Sequence, residues 1–348
     1  METESLLVLG MFVCLFAFIM TGIPVAFALS GVALVFALIA YSFDLFYLTD
    51  FGFIPSRIWG VMQNFTLMAV PLFIFMGITL EKSGIAAELL STMAQVLKRI
   101  KGSLGLTVVL VGGILAASTG IVGATVVTLG VLALPTLLKH GYPKDLATGV
   151  IAASGTLGQI IPPSIVLVIL GDIMGIDVGD LFTAAIGPGC LLILGYLSYV
   201  FLRSRWSGSG KRGEDLPLAE EGDEVPLTMS QKLFAILGPI GLMVIVLGSI
   251  LSGLASPTEA AACGAVGAIG IALGKGKLSR SVVMEVGQQT SMITAMVFTL
   301  LIGAQFFGVV FRAVGGDYLI EDLIVNSQFG PDTILFGVMV LVFVLGFF

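Results

Sequence analysis

Only 11% of the 348 residues are charged, whereas 57% are hydrophobic. A soluble domain carries about 25% charged residues, so this chain lacks the surface that water requires and reads as an integral membrane protein. The formal net charge of −6 decides little, because the placement of Lys and Arg around apolar spans, not their sum, orients such a chain.

The amino terminus, Met1-Glu2-Thr3-Glu4, is acidic, lacks the basic region of a cleaved signal peptide and reads as a mature end. Residues 6–40 are too long for one span, and Gly22-Ile23-Pro24 marks a turn between two helices. Residues 44–64 mix Asp50, Pro55, Arg57 and Trp59 and suit the headgroup level. Residues 67–80 are apolar, with Pro71 near their start. Residues 81–101 alternate apolar and charged side chains at helical spacing, which predicts an amphipathic helix along the membrane surface.

Residues 104–138 form an uncharged run with Ser118-Thr119-Gly120 near its middle. Lys98, Arg99 and Lys101 precede it; Lys139 and His140 follow it. One helix of about 35 residues would be roughly 50 Å long against a bilayer core of about 30 Å, and two full crossings need about 40 residues. Basic residues at both ends place both ends in the cytoplasm. The run therefore reads as a re-entrant hairpin whose polar tip stops inside the membrane, where protein or a water-filled cavity must surround non-helical backbone. Residues 146–171 are also uncharged but are interrupted by Ser154-Gly155-Thr156 and Pro162-Pro163-Ser164. Paired prolines remove two backbone donors and bar helical geometry before them, so this is a discontinuous helix. Small-residue packing would account for Ser118, Thr119, Gly120, Gly123 and Thr125 without any ligand. The hairpin length and the double-proline break together favour an ion site.

Residues 172–180 carry three acidic and no basic side chains, whereas residues 203–232 are Gly- and Glu-rich with five basic ones. Lys275, Lys277 and Arg280 mark a further basic loop, and residues 317–332 are mainly acidic. These loops alternate outside and inside, with spans expected near 181–202, 233–254, 259–273 and 290–311. Gly77 to Gly84 matches Gly308 to Gly315 in spacing, an offset of 231 positions (308 − 77). That offset places the counterpart of Ser118 at about position 349 and suggests an inverted repeat whose second copy is incomplete, in a sequence that is a fragment. Four segments are expected: scaffold helices with the amphipathic helix (1–103), a transport core of hairpin and broken helix (104–171), a span with a cytoplasmic linker (172–232), and a second repeat (233–348).

The chemistry is narrow. One histidine, His140, excludes a multi-histidine metal site and any Ser-His-Asp set, and its place in a turn reads as solvated. Residues 270–277 are glycine-rich but lack the Gly-Lys-Ser/Thr of a phosphate loop. Cys14, Cys190 and Cys263 sit in separate apolar runs and read as packing residues. Glu259 fits a helix cap, and Arg312 at a span end fits headgroup contact. With ionisable groups nearly absent from the spans, a proton relay has no parts. Hydroxyls, carbonyl oxygens and helix ends remain; they suit Na⁺ and a carboxylate. No enzyme activity, cofactor or nucleic-acid partner is expected.

Several motifs occur in order across nearly the whole chain: Ala69-Val70-Pro71-Leu72-Phe73 with Met76-Gly77, the tip Ser118-Thr119-Gly120, and Gly141-Tyr142-Pro143. Gly155-Thr156-Leu157-Gly158 with Ile161-Pro162-Pro163-Ser164, and Pro257-Thr258-Glu259-Ala260, complete the set. Together they resemble the large membrane subunit of tripartite ATP-independent periplasmic (TRAP) transporters, the DctM-like family. The resemblance implies an all-α polytopic, elevator-type, Na⁺-driven importer of organic acids in the bacterial inner membrane. It also implies a small membrane subunit and a periplasmic substrate-binding protein as partners. The family's first cation site maps onto Ser118, Thr119, Gly120, Gly155, Thr156 and Ser164, with Pro162 and Pro163 at the helix break. Its second hairpin and second double-proline segment have no counterpart in these residues. A non-transporting membrane scaffold and an ion channel are the rival readings, and the absence of a repeated polar face on any span weakens the channel.

Overall fold

The structure, a computed structural model, describes residues 2–100, 102–120, 122–206, 229–326 and 330–346; at residues 2, 3, 118, 119, 229–235, 323, 326 and 345 it describes the backbone only. The described residues form fifteen α-helices, three 3-10 turns and no strand. In chain order the first helices are α1 (Glu2–Met20), α2 (Val25–Ser42), α3 (Phe53–Gln63), α4 (Ala69–Lys82) and α5 (Ile85–Leu97). The hairpin and broken-helix region follows as α6 (Ser103–Thr119), α7 (Val122–Lys139), α8 (Lys144–Thr156) and α9 (Ile165–Met174). The remainder is α10 (Val178–Trp206), α11 (Met229–Leu251), α12 (Pro257–Gly274), α13 (Arg280–Ala313), α14 (Gly316–Asn326) and α15 (Pro331–Leu345). By length and composition, α2, α7, α10, α12 and α13 can each cross a membrane. This is an all-α polytopic membrane protein.

Most breaks fall where the residues dictate. Gly22 adopts φ 81°, a left-handed conformation that glycine tolerates, and Pro24 (φ −54°) sets the direction of α2. Residues 81–101 depart from the single amphipathic helix expected. Glu81 and Lys82 finish α4, Gly84 turns the chain at φ 73°, and α5 starts afresh. The apolar spacing continues across the turn, so periodicity alone does not reveal it. Helix α5 is amphipathic, burying Ile85, Leu89 and Leu90 on one side. Span 290–311 is also longer than expected: α13 has 34 residues, about 51 Å at 1.5 Å per residue. Its start is fixed by Ser279, whose Oγ accepts the Val282 N–H at 3.3 Å. The repeat noted in sequence has a local counterpart. Gly315 (φ 82°), like Gly84, ends one helix and opens a short one, α14.

The chain divides into two units. One comprises Met1–Asn64 and Ala295–Phe348; the other is Phe65–Thr294. In the first, Met11, Val32, Ala33 and Phe36 of α1 and α2 form a core with Phe307, Val310 and Val314. Phe12 meets Phe307 and Phe311 edge-on at 5.9 and 5.8 Å. Gly303 lets α13 lie against the backbone of α2, since a Cβ there would sit 2.5 Å from the Ala26 carbonyl oxygen. In the second unit, α12 packs along α4 through Ala260, Ala261, Gly264 and Ala268, the close small-residue packing that apolar helices use in lipid. Helices α6, α7 and α8 pack on one another, and α5 covers α6.

Cys190 and Cys263 do not pack as expected. Both are exposed, on α10 and α12, and only Cys14 is partly buried. His140 is partly buried rather than solvated, with Nδ1 2.8 Å from the Thr136 carbonyl oxygen. The linker at 207–228 lies outside the described residues.

Candidate functional site where a hairpin meets a broken helix

Helix α6 stops because Gly120 takes φ 62° and its N–H returns to the Ala116 carbonyl at 2.8 Å. Helix α7 begins at Val122 and packs on α6, so the run 104–138 holds two helices, with Ser118-Thr119-Gly120 at the end of the first. The arms of 17 and 18 residues are about 26 Å long. The side chains of Ser118 and Thr119, and all of Ile121, lie outside the described residues.

The break in the following segment is also present. Helix α8 ends at Thr156 and a 3-10 turn covers Leu157–Gln159. Residues 160–164 are non-helical, and α9 starts at Ile165. Pro162 and Pro163, joined by a cis peptide bond, supply no N–H to continue the ladder. Ser164 has extended backbone (φ −116°, ψ 131°) and is fully buried, and its Oγ donates across the break to the Gln159 carbonyl at 2.7 Å. The carbonyls of Ile160, Ile161, Pro162 and Pro163 accept no hydrogen bond among the described residues. Pro162 and Pro163 are buried and Ile160 and Ile161 half-buried, so carbonyls without protein partners here are open to a ligand or water.

Three glycines seat the hairpin on this break. A Cβ on Gly158 would lie 2.2 Å from the Ala116 carbonyl oxygen, so the last turns of α6 touch bare backbone. One on Gly155 would lie 2.2 Å from Val126 Cγ2, which brings α7 to the same face. One on Gly120 would lie 3.0 Å from Ile165 Cδ1 and 3.7 Å from the Ile165 nitrogen. The tip at Gly120 thus meets the start of α9 beside Ser164, whereas Gly155 meets α7 at Val126. Thr156 is exposed, with Oγ1 donating to the Ala153 carbonyl at 2.8 Å. No Asp, Glu, Lys or Arg occurs in 104–138 or 146–171. Among the described residues no group of three His, Cys, Asp or Glu side chains could hold a metal. The oxygens are neutral, which suits a weakly held monovalent cation better than a divalent one. The first N–H groups of α9 have no side-chain cap and put a positive helix end at the same place.

Supporting contacts hold the roots of the hairpin. The buried Tyr142 hydroxyl accepts the Gly105 N–H at 3.3 Å, satisfying a first-turn donor of α6. Burial pushes the Tyr142 pKa above its ordinary 10.0, against the lowering effect of that N–H. Thr128 Oγ1 donates to Glu81 Oε1 at 2.8 Å and ties α7 to α4. Glu259 closes a reciprocal cap with Ser256, accepting its N–H at 2.8 Å, as the sequence suggests. Its neighbour Thr258 donates to the Phe65 carbonyl at 2.9 Å. Lys275 pairs with Glu88, and Lys82 with Glu285. Gly158 and Tyr142 stand in the sequence motifs, but their supporting roles emerge from the packing. The three-residue spacing of Gly155 and Gly158, which puts both on one helix face, was the available signal.

A helical membrane protein whose polar centre is backbone and hydroxyl oxygen, between a hairpin and a broken helix, belongs to the class of transporters rather than enzymes. The family described as "Tripartite ATP-independent periplasmic transporter, DctM component" matches residues 12–348, and the chain belongs to it. The chain is 29% identical to the sialic acid TRAP transporter large permease protein of Vibrio cholerae over 331 residues, covering 94% of this chain and 73% of that protein. It is 29% identical to the C4-dicarboxylate TRAP transporter large permease protein of Rhodobacter capsulatus over 344 residues, covering 93% and 73%. The ectoine/5-hydroxyectoine TRAP transporter large permease protein of Ruegeria pomeroyi is 29% identical over 282 residues, covering 80% and 63%.

Proposed function

We propose that this large permease imports a small organic acid by coupling it to Na⁺ entry at the junction of hairpin and broken helix. The observation that carries the proposal is the set of four break carbonyls without hydrogen-bond partners, beside buried Ser164 and the seated tip at Gly120. In this reading the cation takes oxygens from Ser118, Thr119, Gly120, Gly155, Thr156 and Ser164, and Pro162 and Pro163 keep the segment from closing into a helix. The positive amino ends of α7 and α9 favour the substrate's carboxylate. Two similar proteins, named for sialic acid and C4-dicarboxylates, support an acidic solute. Each net positive charge moving down a potential of 100 mV releases about 2.3 kcal/mol, roughly fifty-fold in accumulation, so the potential drives uptake only through Na⁺ in excess of the solute's own negative charge. The hairpin and broken helix move together past a fixed scaffold, carrying the site across the bilayer. A small membrane subunit completes the scaffold, a periplasmic binding protein delivers the solute, and the assembly resides in the bacterial inner membrane.

The test is reconstitution of the full-length permease with both partners in liposomes. Solute uptake should require the binding protein and an inward Na⁺ gradient. Uptake unchanged when K⁺ replaces Na⁺ rejects the coupling; ion conductance without solute uptake favours a channel, and neither activity favours a scaffold.

A further inference from the structure

The first unit contains a cavity of about 450 Å³ between the segment following α2 and the end of α13. Tyr47, Asp50, Phe53, Arg57, Val309 and Arg312 are among the residues lining it. Its charges are unequally engaged. Asp50 is held by the backbone, accepting the Tyr47 N–H at 2.9 Å. Arg312 approaches Asp317 at only 3.7 Å, with both side chains about 60% exposed (59% and 63%). Arg57 is exposed and forms no ion pair among the described residues. Two guanidinium groups thus face one cavity against a single lining carboxylate, which already accepts a backbone N–H, so the lining carries a net positive charge.

The surroundings indicate what meets them. Phe53, Trp59 and Met62 of α3 are each about 60% exposed (63%, 60% and 64%), as is Leu48 just before it (63%). Large apolar and aromatic side chains beside arginine are the composition of the headgroup level of a bilayer. A hydrated free anion gains nothing from the apolar wall of Leu45, Phe53 and Val309. A lipid presents phosphate and hydrocarbon together.

We propose that this cavity binds the phosphate of an anionic phospholipid, with Arg57 and Arg312 donating to the phosphate oxygens and Phe53 lying along the first acyl methylenes. Planar guanidinium groups match phosphate in paired hydrogen bonds, which an ammonium would not. The site is in the first unit and does not depend on the coupling proposed for the second.

The chain contains two tryptophans, Trp59 and Trp206. In the full chain carrying Trp206→Phe, Trp59 emission reports from two positions beyond Arg57. In neutral detergent micelles, phosphatidylglycerol should shift that emission saturably, and phosphatidylcholine should do so only at much higher concentration. Arg57→Gln and Arg312→Gln should each raise the half-saturating phosphatidylglycerol about fivefold, the effect of one cation near an anionic surface. Arg57→Lys should fall between wild type and Arg57→Gln. An equal response to phosphatidylcholine would overturn the proposal in favour of apolar adsorption. Displacement by inorganic phosphate at matching concentration would overturn it in favour of a free-anion site. Unchanged binding in both glutamine variants would remove the arginines from it.

Discussion

Gly158→Ala is the sharpest probe of how the hairpin sits on the break. The added methyl would lie 2.2, 2.6 and 2.9 Å from the Ala116 carbonyl oxygen, carbonyl carbon and Cα. All three are backbone atoms of a packed helix, so no rotamer change relieves the clash and α6 must retreat by about 1 Å. Overpacking of this kind costs about 1–3 kcal/mol. Gly149→Ala, on α8 with nothing within 4 Å of its Cβ, should instead stabilise by up to about 1 kcal/mol through helix propensity. The two variants should therefore differ by about 1–4 kcal/mol, read as a gap of about 2–10 °C in thermal unfolding in micelles. Retreat of α6 also carries Gly120 away from Ile165, so Gly158→Ala should weaken Na⁺ dependence where Gly149→Ala does not. Equal melting of the two variants would refute the close approach and with it the seating of the tip.

Thr258→Val removes the bond to the Phe65 carbonyl and should destabilise by about 1 kcal/mol, with chemical denaturation in micelles as the measure. Double-mutant cycles should give a larger coupling for Lys275–Glu88 (10% and 30% exposed) than for Lys82–Glu285 (27% and 49%), which should lie within about 0.2–1 kcal/mol; the reverse order would contradict the burial argument. Tyr142 has a folded-state pKa raised above 10.0 by burial, so its contribution is present below pH 10.0 and lost as pH rises through the raised value. Wild type should lose stability on that alkaline limb more steeply than Tyr142→Phe, and equal slopes would show that the hydroxyl is not buried in solution.

The hairpin and the break were legible because each violates a simple limit. An uncharged run of 104–138 fits neither one crossing nor two, and Pro162-Pro163 cannot continue a helix. The turn at Gly84 was not legible, since the apolar spacing of α4 runs into that of α5 without interruption. The start of α13 was masked by its charged residues, which read as loop although Ser279 caps them. Cys190 and Cys263 illustrate a general blindness: in lipid an outward-facing apolar position carries the same residues as a core position. The Ala116–Gly158 approach and the cavity shared by Arg57 and Arg312 join residues far apart in sequence, and no local pattern encodes either pairing.

Two buried serines separate cation binding at the break from ordinary packing. Ser164 lies in the break with Oγ on the Gln159 carbonyl, and Ser154 lies within α8 with Oγ on the Val150 carbonyl at 2.6 Å; both are fully buried. The decisive measurement is the Na⁺ concentration giving half-maximal solute uptake in liposomes holding the full-length permease and its partners, compared between Ser164→Ala and Ser154→Ala. We expect it to rise about tenfold in Ser164→Ala, the loss of one oxygen ligand, and to stay at the wild-type value in Ser154→Ala. An unchanged value in Ser164→Ala, or an equal rise in both variants, would contradict cation binding at the break.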